Sequence, residues 1–151
     1  MSETGTTTGK CLCGAVSYRL ETAPDHIDAC HCSMCRRFSG GIELGIEVPP
    51  GGITWQGEDF IRTFASSDWA ERGFCSRCGS SLFWRMTAPG PAQGLLSLSA
   101  GTLDSFAGLE LTTEIYIDHK PAAYAMAGET RKMTEAEVIA AFAPPSEGES
   151  Q

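Results

Sequence analysis

All seven cysteines of the 151-residue chain fall in three short clusters, Cys11-Leu12-Cys13-Gly14, Cys30-His31-Cys32-Ser33-Met34-Cys35 and Cys75-Ser76-Arg77-Cys78-Gly79. Cys-x-Cys and Cys-x-x-Cys turns present two sulfurs at once, which suits a zinc ion that gathers thiolates about 2.3 Å away in a tetrahedron. The chemistry these residues point to is metal binding. Disulfides fit poorly: seven is odd, and Met1-Ser2-Glu3-Thr4-Gly5 lacks a charged-then-apolar leader, so a reducing, cytoplasmic setting is expected. Iron at the knuckles and a metal-free dithiol of Cys32 and Cys35 remain open at these spacings.

The clusters are not equivalent. Cys13 and Cys78 are each followed by glycine, Gly14 and Gly79. A metal knuckle curls its backbone so that amide N–H groups face the sulfurs, and the residue after the second ligand tends to need a positive φ, which glycine adopts freely. Cys11, Cys13, Cys75 and Cys78 are therefore read as one closed, structural zinc site. The middle cluster has only Cys30, Cys32 and Cys35, and Arg36-Arg37-Phe38 after it reads as the start of a short helix, with Ser33 as its cap. Three protein ligands and an open position are the arrangement of catalytic zinc.

Two neighbours of that cluster are candidates for chemistry. In an extended segment Cys30 and Cys32 share a face and His31 points to the other. There His31 serves as a hydrogen-bonding or structural residue; the alternatives are a ligand or a proton shuttle. Arg36, with Arg37, offers positive charge to an anionic small molecule, or else is a solvated surface pair. Residues 1–40 balance four basic residues (Lys10, Arg19, Arg36, Arg37) against four acidic ones (Glu3, Glu21, Asp25, Asp28), so this is the least acidic part of a chain with net charge −8. That overall charge argues against nucleic acid as a partner. No apolar run approaches the ~20 residues that span a membrane.

The elements that must position these residues read as mostly β. Alternation predicts strands at 15–20, 42–48, 60–64, 69–74, 81–85, 95–100 and 113–117, separated by Gly and Pro turns, with 69–74 and 81–85 a hairpin over the Cys75–Cys78 knuckle. Short strands of this kind predict a mainly β fold of small antiparallel sheets carrying zinc knuckles. One helix is expected late: Thr134-Glu135-Ala136-Glu137 is a capping box before Val138–Phe142, stopped by Pro144-Pro145. Residues 1–8 and 146–151, small and polar, are expected to be disordered.

The ordered motifs Gly9-x-Cys11-x-Cys13-Gly14, Cys30-His31-Cys32-x-x-Cys35-Arg36, Gly73-Phe74-Cys75-x-x-Cys78-Gly79 and Ala100-Gly101-Thr102-Leu103-Asp104 resemble the glutathione-dependent formaldehyde-activating enzyme family, also called the centromere protein V/Gfa family. Ile115-Tyr116-Ile117-Asp118-His119-Lys120-Pro121 looks like the family's end segment. The resemblance implies a β-tent and a zinc-binding domain over residues 9–125; residues 126–151 lie outside it and are expected to form an extension with the short helix and a disordered tail. It also implies two zincs per chain, a structural one on Cys11, Cys13, Cys75 and Cys78 and a labile one on Cys30, Cys32 and Cys35. The reaction implied is that of a carbon–sulfur lyase, joining glutathione and formaldehyde into S-hydroxymethylglutathione. His31 or Arg36 would then serve the developing alkoxide. The partner expected is a small-molecule thiol; self-association through an exposed β face is left open, with a homodimer the commonest form by base rate. A reading of a different class stands beside this one: a non-catalytic zinc-binding module that holds a thiol ligand or a protein partner.

Overall fold

Alternation of buried and exposed residues on short strands organises the chain, as in Ser17–Leu20, where Tyr18 and Leu20 turn inward and Arg19 outward. The computed structural model describes residues 6–142. Its strands are β1 (Thr7–Lys10), β2 (Ser17–Leu20), β3 (His26–Cys30), β4 (Glu43–Val48), β5 (Ile53–Gln56), β6 (Ile61–Ser67), β7 (Ala70–Cys75), β8 (Ser81–Met86), β9 (Leu96–Ser99), β10 (Glu110–Ile115) and β11 (Arg131–Met133). Two helices, α1 (Ser33–Ser39) and α2 (Glu135–Phe142), complete the set with three short 3-10 turns. The mainly β class is the one expected.

The sheets are fewer and larger than the alternation suggested. A three-stranded antiparallel sheet runs β1-β2-β5, and an eight-stranded sheet runs β11-β10-β3-β4-β9-β8-β7-β6. The purely antiparallel expectation fails at one end, where β10 pairs in parallel with both β3 and β11. Parallel neighbours require a crossover of a dozen or more residues. The segment 116–130 between β10 and β11 supplies one and carries Tyr116 and Tyr124 past the middle cysteine cluster.

Two boundaries also move. Thr7 and Thr8, expected to be disordered, pair with Leu20 and Arg19 in β1, and Thr8 Oγ1 donates to Asp104 Oδ2 at 2.7 Å. Small polar residues suit an edge strand as well as a tail. The segment after residue 125 is no mere appendage either, since β11 extends the large sheet. Its capping box forms as read: Glu137 N donates to Thr134 Oγ1 at 3.3 Å, and Thr134 N donates to Glu137 Oε1 at 2.8 Å. The expected stop at Pro144-Pro145, the 146–151 tail and residues 1–5 lie outside the described residues.

The core forms where the two sheets face each other. Tyr18 and Leu20 from the small sheet meet Ile46, Val48, Phe83, Leu96 and Leu98 from the large one, and Trp55 links Tyr18 to Phe83 with ring centroids 5.5 and 5.6 Å apart. Cys11 and Cys75 belong to that same buried cluster. Two sulfurs are thus part of the packing. Among the described residues no helix is long and apolar enough to cross a membrane.

Candidate metal centres

The tight turn after β1 holds Cys11 and Cys13, and the β7–β8 hairpin holds Cys75 and Cys78. Gly14 and Gly79 close these turns at φ 83° and 81°, the positive values expected of the residue after the second ligand. Each turn is pinned alike: Gly14 N donates to Cys11 O at 3.1 Å and Gly79 N to Cys75 O at 2.8 Å. Leu12 N donates to Ser80 Oγ at 3.0 Å, which docks one knuckle on the other.

The four sulfurs lie within 4.8 Å of one another. Cys11 and Cys13 Sγ are 3.7 Å apart, and Cys13 and Cys75 Sγ 3.9 Å. A tetrahedron with Zn–S of about 2.3 Å has edges of about 3.8 Å, so the donor set fits the ion. Backbone amides point at sulfur as a knuckle demands, Val16 N to Cys11 Sγ at 3.3 Å and Arg77 N to Cys75 Sγ at 3.4 Å. The hydrogen bond with the Ser80 hydroxyl leads the effects that bring the Cys78 thiol down to about 5.

Cys30, Cys32 and Cys35 also converge, their sulfurs within 4.8 Å of one another. Cys30 ends β3, Cys35 lies in the first turn of α1, and Cys32 caps that helix, its sulfur accepting from Cys35 N at 3.3 Å. The cap is therefore Cys32 and not Ser33, because the sulfur already occupies the acceptor position one residue earlier. Crowding sets these thiols against one another. Hydrogen bonds with Cys32 and Cys35, together with burial, push Cys30 far up, while hydrogen bonds from Cys30 and Cys35 pull Cys32 down to about 2. Three such sulfurs ionise together only around a cation, which is what a divalent metal provides.

His31 turns to the opposite side from the cysteines, as alternation required, and is buried. Its Nε2 lies 2.8 Å from Glu114 Oε1, and its Nδ1 lies 3.0 Å from the Tyr124 hydroxyl. Both ring nitrogens are thereby engaged, and His31 N donates to Ile115 O at 3.1 Å. His31 fastens the Cys30–Cys32 turn to β10 and is not among the clustered ligands. Arg36 is exposed on α1 and its side chain has no hydrogen-bond or ion-pair partner among the described residues.

Three further residues shape the site and escaped the sequence reading. Glu114, 2% exposed, accepts from Thr130 Oγ1 at 2.5 Å as well as facing His31. Burial pushes its carboxyl up, but those two contacts hold it below its ordinary value. Tyr116 is the single non-glycine residue with positive φ among the described residues, at 58°. Burial, followed by the charges of Cys32 and Cys30, raises its phenol to about 12. Arg72 on β7 is 5% exposed, and its Nη1 donates to Cys35 Sγ at 3.6 Å.

Glu114→Ala should cost about 3 kcal/mol, because it orphans a buried histidine and a hydroxyl together. Tyr124→Phe, which removes one hydrogen bond, should cost about 1 kcal/mol. Urea unfolding of both variants checks the order; equal losses would mean that Glu114 is not the anchor. A third polar group, exposed Asp118 and His119 with half-buried Glu135, is bonded within itself: His119 Nε2 lies 2.9 Å from Glu135 Oε1, and Asp118 Oδ1 accepts from Glu135 N at 3.0 Å.

A family model described as "Glutathione-dependent formaldehyde-activating enzyme" matches residues 6–119. A protein of Schizosaccharomyces pombe named as an uncharacterized lyase is 26% identical over 131 residues, covering 87% of this chain and 93% of its own length. A protein of Halomonas elongata named "Putative glutathione-dependent formaldehyde-activating enzyme" is 32% identical over 83 residues, covering 50% of this chain and 53% of its own. A crystal structure of a Rhodobacter sphaeroides protein matches with a TM-score of 0.54 over 70% of this chain and 99% of that one. At 19% identity that match speaks for the fold alone.

Proposed function

The chain belongs to the glutathione-dependent formaldehyde-activating enzyme family, and from that premise we propose that it is a zinc-dependent carbon–sulfur lyase-type enzyme. Its substrate in this reading is the adduct of a thiol, glutathione first, with formaldehyde or a related small aldehyde. The observation that carries the reading is the asymmetry of the two cysteine clusters. Four sulfurs, Cys11 and Cys75 among them buried in the core, make up a complete tetrahedral set, whereas the three sulfurs around the start of α1, with Cys35 buried and Cys30 and Cys32 half-buried, would leave a fourth position for a ligand.

In this proposal Cys11, Cys13, Cys75 and Cys78 hold a structural zinc, and Cys30, Cys32 and Cys35 hold a second, more labile one. Cys30, Cys32 and Cys35 would hold a zinc whose Lewis acidity, when bound, would lower the pKa of an incoming thiol. The thiol sulfur adds to the aldehyde carbon, the carbonyl electron pair moves to oxygen, and the proton lost from sulfur ends on that oxygen. His31 keeps the Cys30–Cys32 turn in place through Glu114. Tyr116, a neutral phenol across the physiological range, holds a proton in the neighbourhood of the cluster. Arg36, free of ion pairs among the described residues, offers its charge to a substrate carboxylate. Seven free cysteines suit the reducing cytoplasm.

Metal analysis of the purified protein tests the ligand sets. The wild type should carry two zincs per chain and Cys35→Ser one, with the variant still folded. Cobalt in the second cluster should change its visible spectrum when glutathione is added, as a fourth sulfur arrives. Two cobalts and no spectral change at any pH where the protein is folded would remove glutathione as the ligand. The non-catalytic binding module would then be the better account.

A further inference from the structure

Arg72 is a cation buried in a strand, with little water to solvate it and few partners. Its Nη1 donates to Cys35 Sγ at 3.6 Å, its guanidinium lies over the Phe38 ring at 5.6 Å, and its Nε has no acceptor among the described residues. A buried arginine is ordinarily satisfied by a carboxylate. Burial raises the pKa of the Glu43 carboxyl and the charge of Arg72 acts to lower it, but no ion pair joins Glu43 to Arg72 among the described residues. The Glu43 carboxylate instead accepts from Ser99 Oγ at 2.8 Å. The hydrogen bond that Arg72 does make is to a sulfur of the open cluster.

Three thiolates around a divalent ion leave one net negative charge, which opposes any anion entering the fourth position. A fixed guanidinium against Cys35 offsets that charge where water is scarce and Coulomb effects are strong. Its N–H···S contact also draws electron density from the sulfur, which makes a bound metal a better acceptor. Phe38 on α1 holds the guanidinium in place by packing on its face.

We infer that Arg72 makes the open position of the Cys30–Cys32–Cys35 cluster selective for anionic ligands, so that a thiolate is taken in preference to neutral donors. The inference rests on the metal occupancy of that cluster set out above. It adds the class of ligand and the residue that selects it.

Cobalt-substituted protein, titrated with azide as the anion and imidazole as the neutral donor, provides the test by visible difference spectroscopy. Arg72→Met should weaken azide about tenfold or more and imidazole less than about twofold. Arg72→Lys, which keeps the charge, should restore most of the azide affinity. Arg72→Gln, neutral but still a hydrogen-bond donor, should lose azide as the methionine variant does, and it serves if that variant does not fold. Equal weakening of both ligands, or of neither, would overturn the inference by leaving Arg72 a packing residue. The wild-type titration is repeated with mercaptoethanol. If azide selectivity depends on Arg72 but no thiol binds, the lyase reading falls and the anion selectivity stands.

Discussion

Cys75→Ser is expected to yield little or no folded protein, the largest effect of any single ligand change in this chain. Cys75 is fully buried and lies in the main hydrophobic cluster with Leu82 and Phe83, so its sulfur is part of the core as well as a proposed ligand. The site it completes joins segments 62 residues apart in sequence, tying the turn after β1 to the β7–β8 hairpin. A structural zinc in small modules contributes on the order of 10 kcal/mol to folding. Net stability of a domain is only about 5–15 kcal/mol. Serine at this position also places a hydroxyl among apolar neighbours after removing the thiolate. Soluble yield and circular dichroism are the measurements. A Cys75→Ser protein that melts with the wild type would show that these four sulfurs do not hold the fold together.

The two cysteine groupings were legible because their signal is local. Two or three sulfurs within six residues, and a glycine after Cys13 and Cys78, can be read without knowing the fold, and φ at Gly14 and Gly79 takes the sign that geometry demands. The Thr134 capping box was legible for the same reason. What surrounds the sulfurs was not. Arg72 reaches Cys35 across 37 residues of sequence, and Glu114 reaches His31 across 83. On β7 and β10 these residues read as ordinary polar positions, and only the register of the large sheet turns them inward. The parallel pairings of β10 were hidden likewise. Nothing in Glu110–Ile115 distinguishes a strand that waits for β3 and β11 from one closing a hairpin. His31 lies between the two cases. Alternation gave the side to which it points, and its partners came only with the fold.

Cys32→Ser is expected to remove the activity while leaving the fold standing. Cys32 is only partly buried and lies outside the core cluster, between β3 and α1. Its sulfur caps α1 by accepting from Cys35 N, and serine is among the best residues for that task, so the helix keeps its start. What is lost is one of the three sulfurs, and the remaining Cys30 and Cys35 cannot by themselves hold a metal with one position open. Loss of an outer partner of a metal ligand commonly costs 10–100-fold in affinity or activity, so loss of a ligand itself should exceed about 100-fold. Formaldehyde and glutathione also combine unaided. The rate to measure is therefore the enzyme-dependent part of their exchange, by magnetization-transfer NMR at neutral pH. That part should vanish into the uncatalysed background in Cys32→Ser, whose circular dichroism should match the wild type. Exchange that persists at the wild-type rate in the folded variant would place the chemistry elsewhere. Cys30, Cys32 and Cys35 would then be a binding cluster, and the protein one that holds a thiol without transforming it.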